Sequence, residues 1–551
     1  MSKDYRDTLN LPQTDLSMKA GLATKEPELL SYWNSIDLYS KIREQNKGKT
    51  QYILHDGPPY ANGDIHLGHS VNKVLKDITT KFQSLSGKDA PYVPGWDCHG
   101  LPIELNIEKK HGKNSDLVKN KDMFIKACRE YAQSQVDKQK EDFIRLGVLG
   151  DWQNPYLSLN KSFEADTVRA LGRIVANGHL EKGEKPVHWC MDCRSALAEA
   201  EVEYQDKISH SIDVKFSVLP EYMEQVCSAF TVKVLPEISA VIWTTTPWTI
   251  PSNVAVCINE SFNYVLVETE QGHLIIAEDL ADACSKRWGM EFKILGSVSG
   301  KTLGNISLQH PLYPRGSKVL LGEHVTTENG TGCVHTAPAH GLDDYFICIK
   351  HQLESIKALD NRGIFKEEFG ALAGLSTGKG DPVVIELLQA SNALIATKEY
   401  EHSYPHCWRH KSPLIFMSTP QWFISMKKSG LIEGAINAVS QVTWEPEWGA
   451  QRILSMLEDR PDWCISRQRN WGVPIPLIIH QDTGEIHPKQ NLLFNDIADV
   501  IEKEGIEGWD NLDLNSLIDD ADSYVKVRDT LDVWFDSGVT HMCVLDKLYG
   551  A

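Results

Sequence analysis

The residue types best placed to do chemistry are two histidines, His66 and His69, which close the stretch YILHDGPPYANGDIHLGHS over residues 52–70. Residues 52–54 predict a short buried strand. A loop rich in glycine and proline follows, and from His66 onward apolar residues recur at helical spacing. A helix N-terminus presents free backbone N–H groups and the positive end of the helix dipole, which favours phosphate as a ligand. The alternative is that the two histidines are a helix cap and a core residue.

A second polar motif, GWDCHGLPIE over Gly95–Glu104, follows a short strand predicted near Pro91–Val93. Long helical patterns come next, over Asp116–Arg145 and Phe163–Asn177. Strands that alternate with helices predict a doubly wound parallel sheet, in which ligands bind at the carboxyl ends of the strands. Both polar motifs lie at such ends.

The pattern of apolar residues changes after Tyr204. From Ile208 to about Gly332 the apolar runs are short and rich in valine, isoleucine and threonine, with glycine, proline and asparagine between them. The α/β pattern resumes after Ser403 and runs to the end. The simplest architecture is therefore an α/β domain with a doubly wound, Rossmann-like parallel sheet and an inserted β-rich domain.

The composition limits the class of protein. A net charge of −19 argues against a protein that coats nucleic acid through bulk electrostatics, although local basic patches still allow contact with RNA. The chain has no run of 18 apolar residues, and its N-terminus lacks a charged start followed by an apolar block, so we expect a cytoplasmic protein with no membrane partner. Twelve scattered cysteines fit a reducing compartment.

Two cysteine-containing motifs have metal-ligand spacing. Cys190-Met-Asp-Cys193 matches one half of a zinc knuckle, and Cys407-Trp-Arg-His410 matches a second half. They flank the predicted insertion at its entry and exit, where two chain crossings would run side by side. We therefore predict a four-ligand zinc site, and the alternative is that these cysteines are unpaired or merely buried.

The stretch HLGH resembles the HIGH signature of class I aminoacyl-tRNA synthetases, with leucine in place of isoleucine, a swap of similar volume. PYANGDIHLGH, GWDCHGLPIE and NWGVPIP are similar to the isoleucine-specific members of that family in particular. The resemblance covers nearly the whole chain. It implies a monomeric ligase that uses isoleucine, ATP with Mg²⁺, and tRNA(Ile).

By this resemblance His66, Gly68 and His69 are the catalytic residues. The glycine would admit a phosphate closely, and the imidazoles would donate hydrogen bonds as charge spreads over phosphorus. The wider ATP-binding motif comprises Pro59, Tyr60, Ala61, Asn62, Gly63, Asp64, Ile65, His66, Leu67, Gly68 and His69.

The same resemblance implies an amino-acid pocket. Asp97 would hold the α-ammonium of the substrate, while Pro58 and Trp534 would line the pocket for its side chain. From the residues alone, Asp97 could instead be a turn residue, and Trp534, in a predicted apolar strand, could belong to the core.

The family resemblance also implies a second, hydrolytic site. One missing methylene is worth only about 1–3 kcal/mol of discrimination, a magnitude for which the isoleucine enzyme is itself the standard example. Valine would therefore be activated sometimes, and the inserted domain is the predicted place for its removal. The segments Trp243–Asn253 and Thr331–Tyr345 resemble the two faces of the family's editing pocket.

The predicted editing residues offer hydroxyl, amide, imidazole and carboxylate groups and are Thr244, Thr245, Thr246, Asn253, His335 and Asp344. Asp344 would anchor the ammonium of a misattached valine, while the threonines and His335 would position the terminal ribose of the tRNA and the attacking water. The alternative is that the threonines fill a strand and that His335 is a hydrogen-bonded core histidine.

Two further stretches carry weaker signals. Within residues 461–476, the side chains of Arg467, Gln468, Arg469 and Trp471 are candidates for contact with the tRNA acceptor end or the nucleotide, but a solvated strand end also explains the arginines. The stretch GLSTGKG over Gly374–Gly380 fails the spacing of a P-loop. It is interpreted as a loop that caps a helix near Asp381–Leu388.

The resemblance predicts four parts of the chain: a helical extension over residues 1–50, the first half of the catalytic domain over 51–204, the editing domain over 205–400 and the second catalytic half over 401–551. One helix is predicted over Glu26–Arg43, with Leu29, Trp33 and Ile36 on one face. It is expected to pack on the main domain.

Nothing in the sequence resembles the family's lysine-rich KMSKS loop or its helical anticodon-binding region. We therefore expect an incomplete second catalytic half and a chain that activates isoleucine poorly or not at all, since those cations would compensate the charge of pyrophosphate. The alternatives are a valyl or leucyl relative, a fragment that only edits, and a non-catalytic fragment that binds tRNA.

Overall fold

The computed structural model describes residues 5–10, 20–458 and 460–550. Residues 1–4 and 11–19 of the predicted N-terminal extension lie outside the described residues. The α-helices are, in chain order, α1 Leu22–Ser35, α2 Leu38–Asn46, α3 Leu67–Leu85, α4 Leu101–His111, α5 Asp116–Lys119, α6 Lys121–Arg145, α7 Lys161–Ala176, α8 Met223–Ala229, α9 Ala281–Trp288, α10 Gly300–Leu303, α11 Leu342–Lys350, α12 Thr377–Ala390, α13 Leu431–Val439, α14 Trp448–Glu458, α15 Gln490–Glu504, α16 Glu507–Asn511, α17 Val533–Gly538 and α18 Lys547–Tyr549.

The β-strands are, in the same order, β1 Gly95–Trp96, β2 Tyr156–Leu157, β3 Leu180–Gly183, β4 Pro186–Cys190, β5 Ser195–Ala196, β6 Val202–Ser217, β7 Ile238–Thr244, β8 Ala255–Ile258, β9 Asn263–Thr269, β10 Gly272–Ala277, β11 Lys293–Ser299, β12 Ser307–Gln309, β13 Gly316–Leu321, β14 Val334–Thr336, β15 Leu394–Cys407, β16 Ile415–Ser418, β17 Gln421–Ile424, β18 Trp463–Cys464, β19 Ser466–Arg467, β20 Ile478–His480, β21 Tyr524–Lys526 and β22 Thr530–Leu531. The mixture of helices with parallel and antiparallel strands confirms the predicted α/β class. No described helix is both long and apolar enough to cross a membrane.

The chain forms two compact units. The first contains Met1–Leu171, Asn470–Lys526 and Val533–Ala551, and the second contains Gly172–Arg469 and Val527–Asp532. The boundaries predicted from the sequence at residues 50, 204 and 400 remain predictions.

In the first unit, parallel pairing is short. Strands β1 and β2 pair in parallel, and single parallel bridges join Gln51 to Asp89 and Tyr60 to Asp97. The strands predicted over residues 52–54 and 91–93 are wrong, since neither run forms a strand. Pro91 and Pro94, at the two ends of the second run, lack the N–H that a ladder needs. The chain is nevertheless bridged at the point where the two polar motifs meet.

The predicted helix after His66 is confirmed as α3, but its apolar stripe is exposed. Leu67, Ile78 and Phe82 face outward, at 84%, 57% and 64% exposure, whereas Lys73 and Asp77 are buried. The reason lies in the buried charges: Asp77 accepts the N–H of Leu149 at 2.9 Å, and Lys73 pairs with a buried aspartate described below. Periodicity predicted the helix but not which side packs.

Two predicted helices are divided in the structure. The side chain of Asn120 accepts the N–H of Met123 and starts α6, so residues 116–145 form α5 and α6. The helix predicted over residues 26–43 is split into α1 and α2 at Asp37, which has a φ of 48°. Leu29, expected on the packed face, is 50% exposed.

The second unit contains the β-rich region that the sequence predicts. Its largest sheet has the order β11-β9-β10-β7-β6-β15, and a four-stranded sheet has the order β12-β13-β8-β14. Strands β6 and β15 form a long antiparallel ribbon from Val202 opposite Cys407 to Val214 opposite Leu394. The helix expected near residues 381–388 begins earlier, at Thr377, so part of the predicted GLSTGKG loop is helical.

Candidate functional site

The two histidines of the HLGH stretch cap α3 reciprocally. Nδ1 of His66 accepts the N–H groups of Gly68 at 3.1 Å and His69 at 3.4 Å, and Nδ1 of His69 accepts the N–H of His66 at 3.3 Å. The rings stack with centroids 3.9 Å apart. Because each Nδ1 is an acceptor, each neutral imidazole carries its proton on Nε2, where it can donate to an anion. Burial, together with the neighbouring His66 and Lys73, lowers the pKa of His69 and so favours this neutral form.

Gly68 makes room for the His66 ring. A Cβ atom at this position would lie 3.0 Å from Cε1 and 3.1 Å from Nδ1 of His66. The sequence predicts a glycine that admits phosphate, whereas in the structure its bare α-carbon first accommodates the capping imidazole.

A buried ion pair fixes the start of the motif. The carboxylate of Asp56 accepts hydrogen bonds from Lys73, Lys76 and the N–H of Gly95. Nζ of Lys73 also donates to the hydroxyl of Tyr92 at 2.9 Å. Burial lowers the pKa of Lys73, and the adjacent Asp56 opposes that shift. Sequence reasoning missed this anchor, although two lysines one helical turn apart after an aspartate could have suggested it.

Asp97 is buried, and one of its two carboxylate oxygens has no hydrogen-bond partner among the described residues. Its Oδ2 accepts the hydroxyl of Ser537 at 2.5 Å, and no described residue donates a hydrogen bond to Oδ1. Burial raises the pKa of Asp97 to about 7, against the lowering effect of the bond from Ser537. The backbone of Asp97 bonds to Pro59 and Ala61, so the alternative of a turn residue is wrong. An unpartnered buried carboxylate oxygen is the group that would receive an ammonium.

Pro58 and Trp534 each lie close in the chain to a residue that bonds to Asp97. Pro58 is half-buried and precedes Pro59, whose carbonyl accepts the N–H of Asp97 at 3.0 Å. Trp534 lies in α17, three residues before Ser537, and its side chain is 49% exposed. The predicted strand at Trp534 is therefore wrong, and so is the alternative that this tryptophan is a core residue.

In the second unit, Asn253, His335, Thr244 and Thr246 belong to one hydrogen-bonded group, and Asp344 belongs to another. The amide of Asn253 donates to Nδ1 of His335 at 2.8 Å, so that the imidazole carries its proton on Nε2 and donates to Oγ1 of Thr249 at 3.0 Å. Burial lowers the pKa of His335 to about 3. The ring is thus neutral and held from both sides, as the alternative of a hydrogen-bonded core histidine predicts.

The threonines extend this chain of bonds. Oγ1 of Thr249 donates to the carbonyl of Thr246 at 2.8 Å, and the hydroxyls of Thr244 and Thr246 lie 3.1 Å apart. Thr245 is half-buried between them. Only Thr244 lies in strand β7, so strand filling does not explain the other two. Thr249 is the residue that sequence reasoning missed here, although it repeats the threonine pattern within the same segment.

Asp344 lies in the first turn of α11. Its Oδ2 accepts the N–H of Ala337 at 2.9 Å, and burial raises the pKa of Asp344 to about 6, partly offset by that bond and by His324. A Cβ atom on Gly341 would lie 2.7 Å from the same oxygen, so glycine is required there for this arrangement.

The two cysteine motifs meet in the second unit. The ligand atoms of Cys190, Cys193, Cys407 and His410 all lie within 4.8 Å of one another. Nδ1 of His410 is 3.8, 3.2 and 3.7 Å from the three sulfurs, close to the spacing of about 3.5 Å that tetrahedral Zn–S and Zn–N bonds impose. Three sulfurs and one imidazole nitrogen are a common donor set for structural zinc, so the residues fit that ion.

The two motifs share a backbone turn. The residue after the second ligand has a left-handed conformation in both, with a φ of 55° at Arg194 and 56° at Lys411. Each of these residues also donates its N–H to the carbonyl of the first ligand. The matching turns support one metal site built from two similar halves.

In the block over residues 461–476, Arg467 and Trp471 are internal, whereas Gln468 and Arg469 are half-buried. Arg467 is buried, and its guanidinium donates to Asp532 at 2.9 Å and to the carbonyls of Cys464 and Ser466. Trp471 is fully buried and donates to the carbonyl of Cys98 at 2.7 Å. The interpretation of Arg467 as a solvated residue at a strand end is therefore wrong. The side chains of Arg467 and Trp471 both form hydrogen bonds inside the protein.

Comparison with known proteins gives a consistent result. The model of the family "tRNA synthetases class I (I, L, M and V)" matches residues 28–549. The isoleucine–tRNA ligase of Coxiella burnetii strain Dugway 5J108-111 is 54% identical over 551 residues, covering 99% of this chain and 58% of the relative. That of Francisella philomiragia is 52% identical over 545 residues, covering 98% and 58%. The chain thus spans about 58% of the length of these relatives.

Two solved structures are similar at lower identity. The ternary complex of Agrobacterium radiobacter K84 LeuRS with tRNA and LeuAMS matches with a TM-score of 0.38 and 14% identity, covering 95% of this chain and 59% of that one. The GlLeuRS-CP1 structure matches with a TM-score of 0.30 and 16% identity, covering 34% and 98%. Because the family model matches almost the whole sequence, this chain belongs to the class I tRNA synthetases of the isoleucine, leucine, methionine and valine group.

Proposed function

We propose that the protein is an isoleucine–tRNA ligase. The whole ligase would activate isoleucine with ATP, forming isoleucyl-adenylate and pyrophosphate, and then transfer the isoleucyl group to tRNA(Ile). This chain by itself is still expected to activate isoleucine poorly or not at all. The names and 54% identity of the relatives support this choice over a valyl or leucyl enzyme. The observation that carries the proposal is Asp97, a buried carboxylate whose Oδ1 has no described partner and which fits the α-ammonium of an amino acid.

The activation step needs groups that hold both substrates. With the ammonium on Asp97, the carboxylate of isoleucine would attack the α-phosphorus of ATP, forming one P–O bond while the bond to pyrophosphate breaks. The Nε2–H groups of His66 and His69 would donate to phosphate oxygens as negative charge builds up. ATP enters with Mg²⁺, which neutralises part of its charge.

Titration calorimetry with non-hydrolysable isoleucyl-, valyl- and leucyl-adenylate analogues tests the amino-acid identity. The isoleucyl form should bind most tightly, with the valyl form weaker by about 10- to 200-fold, as one missing methylene allows. Tightest binding of the leucyl or valyl form would transfer the proposal to that relative.

The inserted β-rich region would carry a second activity, hydrolysis of valyl-tRNA(Ile). Water would add to the ester carbonyl, and the bond to the terminal ribose would break to release valine. Asp344 would bind the ammonium of valine, and the chain from Asn253 through His335 and Thr249 would hold the threonine hydroxyls that position ribose and water. The specific observation in favour is the Asp344 carboxylate, which is half-buried and accepts the N–H of Ala337.

The test of this activity is release of valine from valyl-tRNA(Ile) by this chain, with isoleucyl-tRNA(Ile) beside it. Selective release of valine supports an editing site. Equal release of both amino acids contradicts an editing site, and so does the absence of any release by folded protein that binds the tRNA. If no amino acid is released and the binding of tRNA weakens as salt rises, the result favours a non-catalytic chain.

The cysteine cluster would hold a structural zinc ion. Cys190, Cys193, Cys407 and His410 would bind it and join the turn after β4 to the end of β15, where β15 pairs with the start of β6. The ion would supply folding energy rather than chemistry, because all four positions of a tetrahedral site are taken by protein.

A further inference from the structure

His99 forms a buried ionic centre beside the proposed amino-acid site in the first unit. Its Nδ1 lies 2.8 Å from Oδ2 of Asp536 in α17, and its Nε2 lies 3.4 Å from Oε1 of Glu164 in α7. All three side chains are almost completely buried. Burial alone would lower the pKa of His99, but the hydrogen bond with Asp536 and the adjacent carboxyl group of Glu164 raise it to about 9. The imidazole therefore lies between two carboxyl groups.

A second layer fixes this centre. Glu164 also pairs with the guanidinium of Arg129 at 3.1 Å and accepts the N–H of Ile506 at 3.0 Å. The ring of Trp471 is 4.8 Å from His99 and 5.1 Å from the Arg129 guanidinium, each measured to the ring centroid. The acidic and basic groups pair with one another against an aromatic ring, so the centre is rigid rather than a mobile surface pair.

The centre connects directly to Asp97. His99 follows Asp97 by two residues in one loop, and Asp536 precedes Ser537 in α17. Asp536 bonds to His99 while Ser537 bonds to Asp97, so two adjacent residues of α17 hold two residues of one loop. We call these four side chains, Asp97, His99, Asp536 and Ser537, the α17 clamp.

We propose that Ser537 and Asp536 are positioning residues for substrate recognition, because the α17 clamp holds the carboxylate of Asp97 with Oδ1 presented to the substrate ammonium. The inference rests on the proposed activation of isoleucine and names two residues beyond those that touch the substrate. A carboxylate held at one oxygen cannot rotate freely, so less conformational entropy is lost when the ammonium binds at the other. Trp534, the proposed pocket residue, lies on the same short helix as Asp536 and Ser537.

The test compares two ligands that differ only in the ammonium: an isoleucyl-adenylate analogue and its deaminated counterpart, titrated by calorimetry at neutral pH. The ratio of the two dissociation constants measures what the ammonium contributes. In Ser537→Ala this ratio should fall by about 3- to 10-fold, the size of one hydrogen bond, while binding of the deaminated ligand stays unchanged. Ser537→Thr keeps a hydroxyl and should restore the ratio. Ser134→Ala, which removes an exposed serine from α6, is the matched control.

Asp536→Asn keeps the shape of the clamp and removes its charge, and it should also reduce the ratio. Since this variant breaks a buried pair and can lose stability, the serine variants keep the test decisive. A ratio that is unchanged in Ser537→Ala, or an equal loss of affinity for both ligands, overturns the positioning role. A wild-type protein that binds both ligands equally overturns the assignment of Asp97 itself, so failure of the proposed function is distinguished from failure of this inference.

Discussion

The hydroxyl of Ser537 donates to Oδ2 of Asp97 over 2.5 Å, although 440 positions separate the two residues in the sequence. The bond holds one oxygen of a buried carboxylate and leaves the other without a described partner. Because an uncompensated buried charge is costly, the site favours a cation that can bond to the second oxygen. The proposed substrate supplies that cation as its α-ammonium.

The affinity for free isoleucine should depend on the charge of Asp97. Its pKa is raised to about 7, so the carboxyl is mostly ionised at pH 8 and mostly protonated at pH 6, while the amino group of isoleucine stays charged across this range. We expect binding to weaken about tenfold from pH 8 to pH 6. Calorimetry with isoleucine checks this, and its deaminated analogue should not lose affinity in parallel. Affinity that rises toward pH 6 would contradict the assignment.

Gly68→Ala should lower the affinity for ATP without unfolding the protein. The added methyl group would lie 3.0 Å from the His66 ring and displace the imidazole from its cap, costing up to about tenfold in affinity for one misplaced donor. Alanine is the better helix former, so the melting temperature should not fall by more than a few degrees. Gly434→Ala in α13, where a Cβ meets no atom within 4 Å, is the control. Unchanged ATP binding would show that the His66 ring position does not matter.

Asp344→Asn should reduce hydrolysis of valyl-tRNA(Ile) by roughly 10- to 100-fold, the worth of a hydrogen bond to a charged group. The wild-type rate should also fall as the pH drops through about 6, where the raised pKa of Asp344 places its protonation. The neighbouring Asp343→Asn is the control, because that side chain is exposed. Full activity of Asp344→Asn, measured by release of labelled valine, would exclude an ammonium-binding role.

Purified protein should contain about one zinc per chain, and Cys193→Ser should lose it. The variant should also melt at a lower temperature, because a structural zinc contributes folding energy. Elemental analysis measures the metal, and Cys348→Ser, a buried cysteine outside the cluster, should retain it. Wild-type protein free of zinc after growth with the metal would contradict the proposed zinc site.

The sequence predicted elements better than it predicted their packing. Helical spacing after His66 gave α3, and the valine-rich runs gave the strands of the second unit. The exposed apolar stripe of α3 could not be foreseen, because the side that packs is decided by the distant Asp56 and Leu149, which bond to Lys73 and Asp77. Likewise, Pro91 and Pro94 bound the second predicted strand, which local hydrophobicity alone had favoured.

The candidate sites show the same limit. The family resemblance named Asp97 and Trp534, but not the serine that holds Asp97, because Ser537 reaches it only once α17 has folded against the loop. Similarly, the sequence named His335 without showing that Asn253 and Thr249 occupy both of its nitrogens. The cysteine motifs were the exception: regular spacing within each half and their places in the chain were enough to predict that all four ligands meet.

The most direct test of the account is the affinity of an isoleucyl-adenylate analogue for wild-type protein and for Asp97→Asn, measured by calorimetry at pH 8. Asparagine keeps the shape and the bond from Ser537 but removes the charge, so the affinity should fall roughly 10- to 100-fold. Asp137→Asn, which changes an exposed aspartate of α6, should bind as wild type does. Equal affinity of Asp97→Asn and wild type would contradict the claim that this chain binds an amino acid through Asp97.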